Sequence, residues 1–288
     1  MAWDDLAFTK MQGVGNDFIV VDGRGEAALD WPSLAITACH RKTGVGADGL
    51  LVLDHSDSSD SADFTMRMFN PDGTPDVCGN GLRCIARYAV ECGIVALDVM
   101  RVMTLAGVRT AQINRDGTSF QSVTVDMGLP RFEFAEIPVI GKNFADPPLM
   151  DYPLEIGDDQ RLLITALSTG STHAVTFVDK LPDDTTFFRI SPLVENHALF
   201  PERTSLMWCT RAADNRIQMR IWERGAGETW GCGTGACAAG VATFLHGYAD
   251  HNKPLTVASK GGELIIRWQP GQSIQMTGPA EVVFDGHL

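Results

Sequence analysis

The string Cys-Gly-x-Gly occurs twice in this chain, as Cys78-Gly79-Asn80-Gly81 and as Cys232-Gly233-Thr234-Gly235. Each copy runs into a Pro-free stretch, LRCIARYAVE after the first and ACAAGVATFL after the second, whose pattern predicts a helix. A cysteine at a helix start lies beside backbone N–H groups that have no helical partner, at the positive end of the macrodipole. Both features favour its thiolate. Glycines alongside let a ligand approach the backbone, and the same N–H groups can hold a carboxylate. One such site would suit a cysteine hydrolase or a redox centre. Two copies, about one domain length apart, suit a reaction that needs two opposed groups. Inversion of a carbon centre is such a reaction, because a base removes a proton from one face while an acid delivers one to the other.

Other uses of these cysteines fit less well. Cys84 lies six positions after Cys78, and Cys237 five after Cys232. At about 100° per residue the members of each pair fall on different helix faces, whereas zinc sites favour closer spacings, often in loops. Cys84 and Cys237 are therefore expected as small buried residues, and no metal is expected. Neither Gly13-x-Gly15 nor Gly44-x-Gly46 completes a dinucleotide-binding fingerprint with a strand before it and a helix after it. The seven cysteines are odd in number and lack the spacing of a disulfide scaffold. The opening MAWDDLAFTK lacks the apolar core of a secretory signal, and no apolar run reaches the ~18 residues of a membrane span. A cytoplasmic location with reduced thiols is the expectation.

The elements that must carry the two cysteines can be read coarsely. The chain has 288 residues, 44% of them hydrophobic and 20% charged, an ordinary globular composition with length for about two domains. Its net charge of −13 argues against nucleic acid or an anionic membrane as partner. LAFTKM and FIVVDG read as strands around a Gly-rich turn, and a helical stretch is predicted over 33–39. GVGADGLLVL repeats the pattern of glycine turn and apolar strand, and the acidic Ser-rich segment 54–63 reads as an exposed loop. FTMRMFN alternates as a half-buried strand, and the first Cys helix spans 78–93. Strand pattern fills 99–128. The Pro-rich stretch 131–153 reads as irregular, with the domain crossing at its start. The second half repeats the plan with strands at 162–167 and 174–179, a helical piece near 191–198 and strands around 205–210 and 217–222. The second Cys helix then covers 232–247, and strands at 254–259, 262–268 and 272–276 follow. The repeated plan predicts an α/β chain of two related units, each with a Cys at a helix N-terminus.

KMQGVGNDF (10–18), GVGADG (44–49), FNPDGTPDVCGNGLRC (69–84), ERGAGETWGCGTGACAA (223–239) and MTGPA (276–280) resemble the diaminopimelate epimerase family nearly end to end. The resemblance implies two pseudo-symmetric domains, 1–128 plus 276–288 and 129–275, each a mixed sheet wrapped around a central helix, with the active site in the cleft between them. It also implies a homodimer, and inversion of one α-carbon of LL-diaminopimelate to the meso form without pyridoxal phosphate, metal or other cofactor. That reaction serves lysine and peptidoglycan-precursor synthesis. Carried over residue by residue, Cys78 and Cys232 are the acid–base pair, with Glu223 and His173 close to the reaction centre. The backbone of Gly79-Asn80 and Gly233-Thr234 holds the reacting carboxylate. Arg224 with Asn16 and Asn70 binds the distal amino-acid end.

Three positions depart from the family pattern. Ser171 and Ser205 stand where the family usually has Asn, and Gly49 where it often has Gln. Serine reaches less far than asparagine, so distal recognition is where substrate choice could change. The alternative to diaminopimelate is therefore another amino acid handled by the same cofactor-independent racemase chemistry. A non-catalytic binding protein of this fold is disfavoured by the presence of both cysteines, Glu223 and His173. The retained Arg224 favours a substrate with a distal acid group.

Overall fold

The computed structural model describes residues 3, 5–26, 29–56, 62–141, 144, 146–157, 160–212 and 215–288. The chain divides into two compact units, Met1–Asp126 with Thr277–Leu288, and Met127–Met276. In the first unit successive partners in the sheet are Glu281–His287, Ala7–Gly13, Asn16–Asp22, Gly49–Asp54, Phe64–Phe69, Val99–Thr104, Gly107–Asp116 and Ser119–Asp126. Their pairings run antiparallel, antiparallel, parallel, antiparallel, parallel, antiparallel and antiparallel. In the second unit the partners are Leu149–Ile156, Gln160–Ser168, Thr172–Phe177, Ser205–Ala212, Arg216–Glu223, Leu255–Ser259 and Gly262–Arg267. The same order of senses recurs: antiparallel, antiparallel, parallel, antiparallel, parallel, antiparallel.

Strand register makes the repeat specific to the residue. The parallel pairing begins with Phe18 opposite Gly49 in the first unit and with His173 opposite Ser205 in the second. Phe18 thus matches His173, Gly49 matches Ser205 and Asn16 matches Ser171. Asn70 and Arg224 match as the residues directly after equivalent strands.

The described residues contain four helices, α1 (Trp31–Ala38), α2 (Gly79–Glu91), α3 (Asp184–Glu195) and α4 (Gly233–Leu245), and three further short strands, Pro75–Asp76, Gly227–Thr229 and Gln275–Gly278. Both cysteine-headed helices are central. α2 packs against the strands at 7–13, 16–22, 49–54, 64–69, 107–116 and 119–126, and α4 against those at 160–168, 172–177, 205–212, 216–223, 255–259 and 262–267. α2 turns Arg87, Tyr88 and Glu91 away from full burial, whereas α4 is apolar or small nearly all round. In α4 only Thr234 and Leu245 escape full burial, and Ala and Gly dominate. A Cβ on Gly240 would lie 2.8 Å from Ile266 Cγ2, so the missing side chain lets the sheet close on the helix. Cys84 and Cys237 are fully buried packing residues, as their helix phase requires.

Several elements differ from the sequence expectation. The first hairpin turn is only Val14-Gly15, both with positive φ (51° and 80°), and the strands extend to it from both sides. Such a two-residue turn matches the twist of its strands. α3 begins at Asp184, well before the expected piece near 191–198. Thr-Thr-Phe-Phe is a poor helix former, but Asp183 caps the Thr186 N–H at 2.8 Å, and Phe187, Ile190 and Val194 enter the core. Pro192 lies inside this helix. Part of the stretch expected to be irregular is strand Leu149–Ile156, whose Pro153 is tolerated because the strand pairs on one side only. Strand Glu281–His287 escaped prediction because it is exposed almost throughout and shows no alternation. Residues 57–61 of the expected acidic loop, and parts of the opening segment and of 131–153, lie outside the described residues. Among the described residues no helix is long and apolar enough to cross a membrane.

Candidate active site

The two cysteines occupy the same local geometry. Cys78 is the N-cap of α2 in extended conformation (φ −144°, ψ 113°), and Cys232 is the N-cap of α4 (φ −127°, ψ 112°). The Gly81 N–H donates to Cys78 Sγ at 3.3 Å, and the Gly235 N–H donates to Cys232 Sγ at 3.3 Å. Sulfur thus replaces the usual capping oxygen. The first intrahelical bonds run from the Leu82 N–H to Cys78 O and from the Ala236 N–H to Cys232 O. The N–H groups of Gly79 and Gly233, one position into each helix, have no acceptor within it. The glycine two positions later is closely packed in both copies. A Cβ at Gly81 would lie 2.9 Å from Leu51 Cδ2, and one at Gly235 would lie 2.7 Å from Met207 Sδ and 3.2 Å from Cys232 Sγ.

Beyond the caps the two half-sites differ. The Cys78 S–H donates to Asn16 Oδ1 at 3.7 Å, and Asn80 Nδ2 donates to the same oxygen at 3.2 Å. Burial pushes the Cys78 thiol up to about 11, against the opposing pull of the Gly81 N–H and the fully buried Arg83 guanidinium. Arg83 sits where α4 has Cys237, and its Nε donates to Pro279 O at 3.1 Å, within the MTGPA segment. Burial also pushes the Cys232 thiol well above its ordinary value. Here the nearby Glu223 carboxylate, which accepts from the thiol, adds to the rise, while Thr234 and the Gly235 N–H oppose it. Thr229 Oγ1 donates to Glu223 Oε1. The buried Arg83 cation therefore opposes the rise of the first thiol, with the Asp76 carboxylate acting the other way, while the Glu223 carboxylate reinforces the rise of the second.

His173 is wholly buried and stands behind Cys232 rather than against it. Its Nδ1 lies 2.7 Å from Ser171 O, which can only accept, so Nδ1 carries the proton. Nε2 lies 3.3 Å from Thr234 Oγ1, which in turn lies 3.4 Å from Cys232 Sγ. Burial, with the nearby Arg224 charge also contributing, lowers the His173 pKa to about 4, so the ring is neutral at pH 7. Thr169 Oγ1 donates to Thr234 O at 2.8 Å and fixes the same helix end.

The residues expected to bind the distal end fall into two groups. In the second unit Ser205 Oγ accepts the Arg224 N–H at 3.1 Å, and Arg224 Nη1 donates to Glu202 O at 2.9 Å on the exposed turn. The sequence reading missed the carboxylate that builds this region. Glu195, at the end of α3, is nearly buried and accepts from Trp222 Nε1 at 2.6 Å, the Gly225 N–H at 2.8 Å and Arg203 Nη1 at 3.0 Å. In the first unit Asn70 Nδ2 donates to Thr74 Oγ1 at 3.2 Å and Asp76 Oδ2 at 3.3 Å, which ties it into the Pro71-Asp72-Gly73 turn. Gly49 takes the position of Ser205, and a Cβ there would meet Met68 Cε at 2.6 Å. Among the described residues no group of three or more His, Cys, Asp or Glu side chains is placed to hold a metal ion.

Comparison with known proteins matches this chain to a family. The family model described as diaminopimelate epimerase covers residues 8–133 and 165–283. A diaminopimelate epimerase from Pelotomaculum thermopropionicum is 47% identical over 286 residues, covering 98% of both chains. The one from Heliobacterium modesticaldum is 42% identical over 289 residues, covering 98% of this chain and 99% of its own. Among solved structures, a hydroxyproline epimerase from Agrobacterium vitis superposes with a TM-score of 0.69 at 15% identity, over 98% of this chain and 91% of its own. A methylitaconate-delta-isomerase superposes with a TM-score of 0.63 at 12% identity, over 100% and 96%. At such identities these structures share the fold, whereas the two close relatives and the family model extend to sequence along nearly the whole length. The chain belongs to the diaminopimelate epimerase family.

Proposed function

We propose that this protein is an isomerase that inverts one α-carbon of diaminopimelate, between the LL and meso forms, with Cys78 and Cys232 as the acid–base pair. The observation that carries this reading is the duplicated N-cap cysteine, each sulfur accepting a glycine N–H, in a chain of this family. One sulfur, as thiolate, takes the α-proton, and the other, as thiol, gives a proton to the opposite face. The count balances: one proton arrives, one leaves, and the two sulfurs exchange protonation states. Both thiols are raised, so each is a stronger base once ionised than an ordinary cysteine. The N–H groups at Gly79-Asn80 and Gly233-Thr234 hold the α-carboxylate, which draws charge from the carbon as the proton departs. Glu223 takes the reacting ammonium, and neutral His173 fixes the Thr234 hydroxyl beside Cys232. Arg224, Asn16 and Asn70 recognise the distal end, with Ser171 and Ser205 in supporting positions. The active form is a homodimer in the cytoplasm.

The test is incubation of the purified enzyme with LL- and meso-diaminopimelate in D2O, followed by mass gain and chirality. Inversion with one deuterium gained at the α-carbon is expected, and Cys78→Ala and Cys232→Ala should each abolish it. Near-normal inversion by either variant would overturn the two-base reading.

A further inference from the structure

The segment Gly44-Val45-Gly46-Ala47-Asp48-Gly49 has no part in the inversion chemistry above. Its Asp48 is nonetheless held with care. Asp48 Oδ1 accepts from Arg41 Nη2 at 2.6 Å, and Arg41 also donates to Asp17 at 2.7 and 3.2 Å. Asp17 is paired in turn with nearly buried Lys10 at 2.6 Å, and Lys10 donates to Gly46 O. The other oxygen, Asp48 Oδ2, accepts from Asn16 Nδ2 at 2.8 Å and from the Asp17 N–H at 3.1 Å.

An ionised carboxylate can only accept, so its partner must present a donor. Asn16 therefore turns Nδ2 to Asp48, and its Oδ1 must face the other way. There Oδ1 accepts from Cys78 and from Asn80 Nδ2. Asn80 is 1% exposed, and by the same logic its own Oδ1 points away from Asn16. That oxygen is buried and has no hydrogen-bond partner among the described residues. An orphaned buried acceptor is costly and calls for a donor.

We propose that Asp48 is a positioning residue that sets the amide polarity of Asn16 and, through it, of Asn80, so that Cys78 faces the oxygen of Asn16 and not its nitrogen. The assignment rests on the reading of Cys78 as an acid–base group. The relay places an acceptor on the thiol, which holds Cys78 protonated until substrate arrives. The charged groups acting on Cys78 itself are Arg83 and Asp76. Lys10, Asp17 and Arg41 surround Asp48, with Cys39 buried next to them.

In Asp48→Asn the new amide can offer its own NH2 to Asn16 Oδ1, and the relay can invert so that Nδ2 faces the sulfur. In a Cys232→Ser background, iodoacetamide alkylation of Cys78 at pH 8, followed by mass spectrometry, should then rise about tenfold. In otherwise native enzyme kcat/KM should fall about tenfold, with KM rising. The same Asp48→Asn change made together with Asn16→Ala should alter Cys78 alkylation by less than twofold, because the relay is already cut. Equal effects in both backgrounds would mean that Asp48 acts through its charge alone, and no effect in either would mean a plain loop staple; both outcomes overturn the proposal. If Asp48→Asn does not fold, Asn16→Ala alone serves: losing the thiol's acceptor should speed Cys78 alkylation, and an unchanged or slower rate refutes the relay. Alkylation does not depend on turnover, so failure of the relay and failure of the two-base reading, seen as inversion by Cys78→Ala, are separate results.

Discussion

Replacing Glu223 by Gln tests the contrast between the two half-sites. Burial raises both thiols, but only Cys232 has a carboxylate accepting from its S–H. The amide keeps the shape and removes the charge. A hydrogen bond to a charged group is worth ~1.5–3 kcal/mol, and partial exposure of Glu223 places it at the lower end, about tenfold in thiolate population. The sign follows directly. The carboxylate disfavours the nearby thiolate, so its loss lowers the Cys232 pKa and increases the thiolate at any pH below it. Burial persists, and the thiol remains above its ordinary value. The assay is the pH dependence of iodoacetamide alkylation of Cys232 in a Cys78→Ser background. The rate at pH 8 to 9 should rise about tenfold. Cys78 in the reciprocal Cys232→Ser protein should be unaffected, while inversion of diaminopimelate by Glu223→Gln in otherwise native enzyme falls. A Cys232 rate that is unchanged or lower, or a Cys78 rate that rises equally, would refute the account.

Other outcomes follow from the same structure. Burial alone would raise the Asp17 carboxyl, but hydrogen bonds from Arg41 and Lys10 bring it to about 2; its stabilisation is present above the ordinary value of 3.8 and lost as pH falls towards 2. Asp17→Asn should therefore lower unfolding free energy at pH 7 by about 2 kcal/mol in urea titrations, with the difference shrinking between pH 4 and 2. His173, buried and held near 4, should keep a neutral ring with its proton on Nδ1 down to about pH 4 in 15N-edited NMR; a ring protonated at pH 6 would contradict its environment. Gly240→Ala should cost about 1–3 kcal/mol by overpacking against Ile266, read in denaturant melts, with cysteine alkylation profiles unchanged. Ser171→Asn with Ser205→Asn should lower KM for LL-diaminopimelate about tenfold if either new amide reaches the distal end, and a rise in KM would mean that the Arg224 turn needs the Ser205 cap.

Local pattern was enough to locate the two cysteine caps. Cys-Gly-x-Gly before an apolar run specifies a helix start, and a cysteine there is a cap whatever surrounds it. The central place of α2 and α4 was an expectation from the family resemblance, whereas the alternating strands were found from pattern to within a few positions. α3 and the strand Glu281–His287 were misjudged because the core contacts of α3, and the lone neighbour of the strand, come from residues distant in sequence. The same limit applies within the site. Asp48 meets Asn16 because their strands pair in parallel in one register, and a shift of one residue would turn the side chains to the other face. Thr234 stands between His173 and Cys232, and Ser205 is committed to the Arg224 N–H. Arg83 and Glu223 give two matching cysteines opposite surroundings. The sequence determined which groups could react and at which helix ends they sit, because capping is local. Tertiary structure decided how each is oriented and charged, because hydrogen-bond polarity and fields depend on neighbours that only strand register and packing bring together.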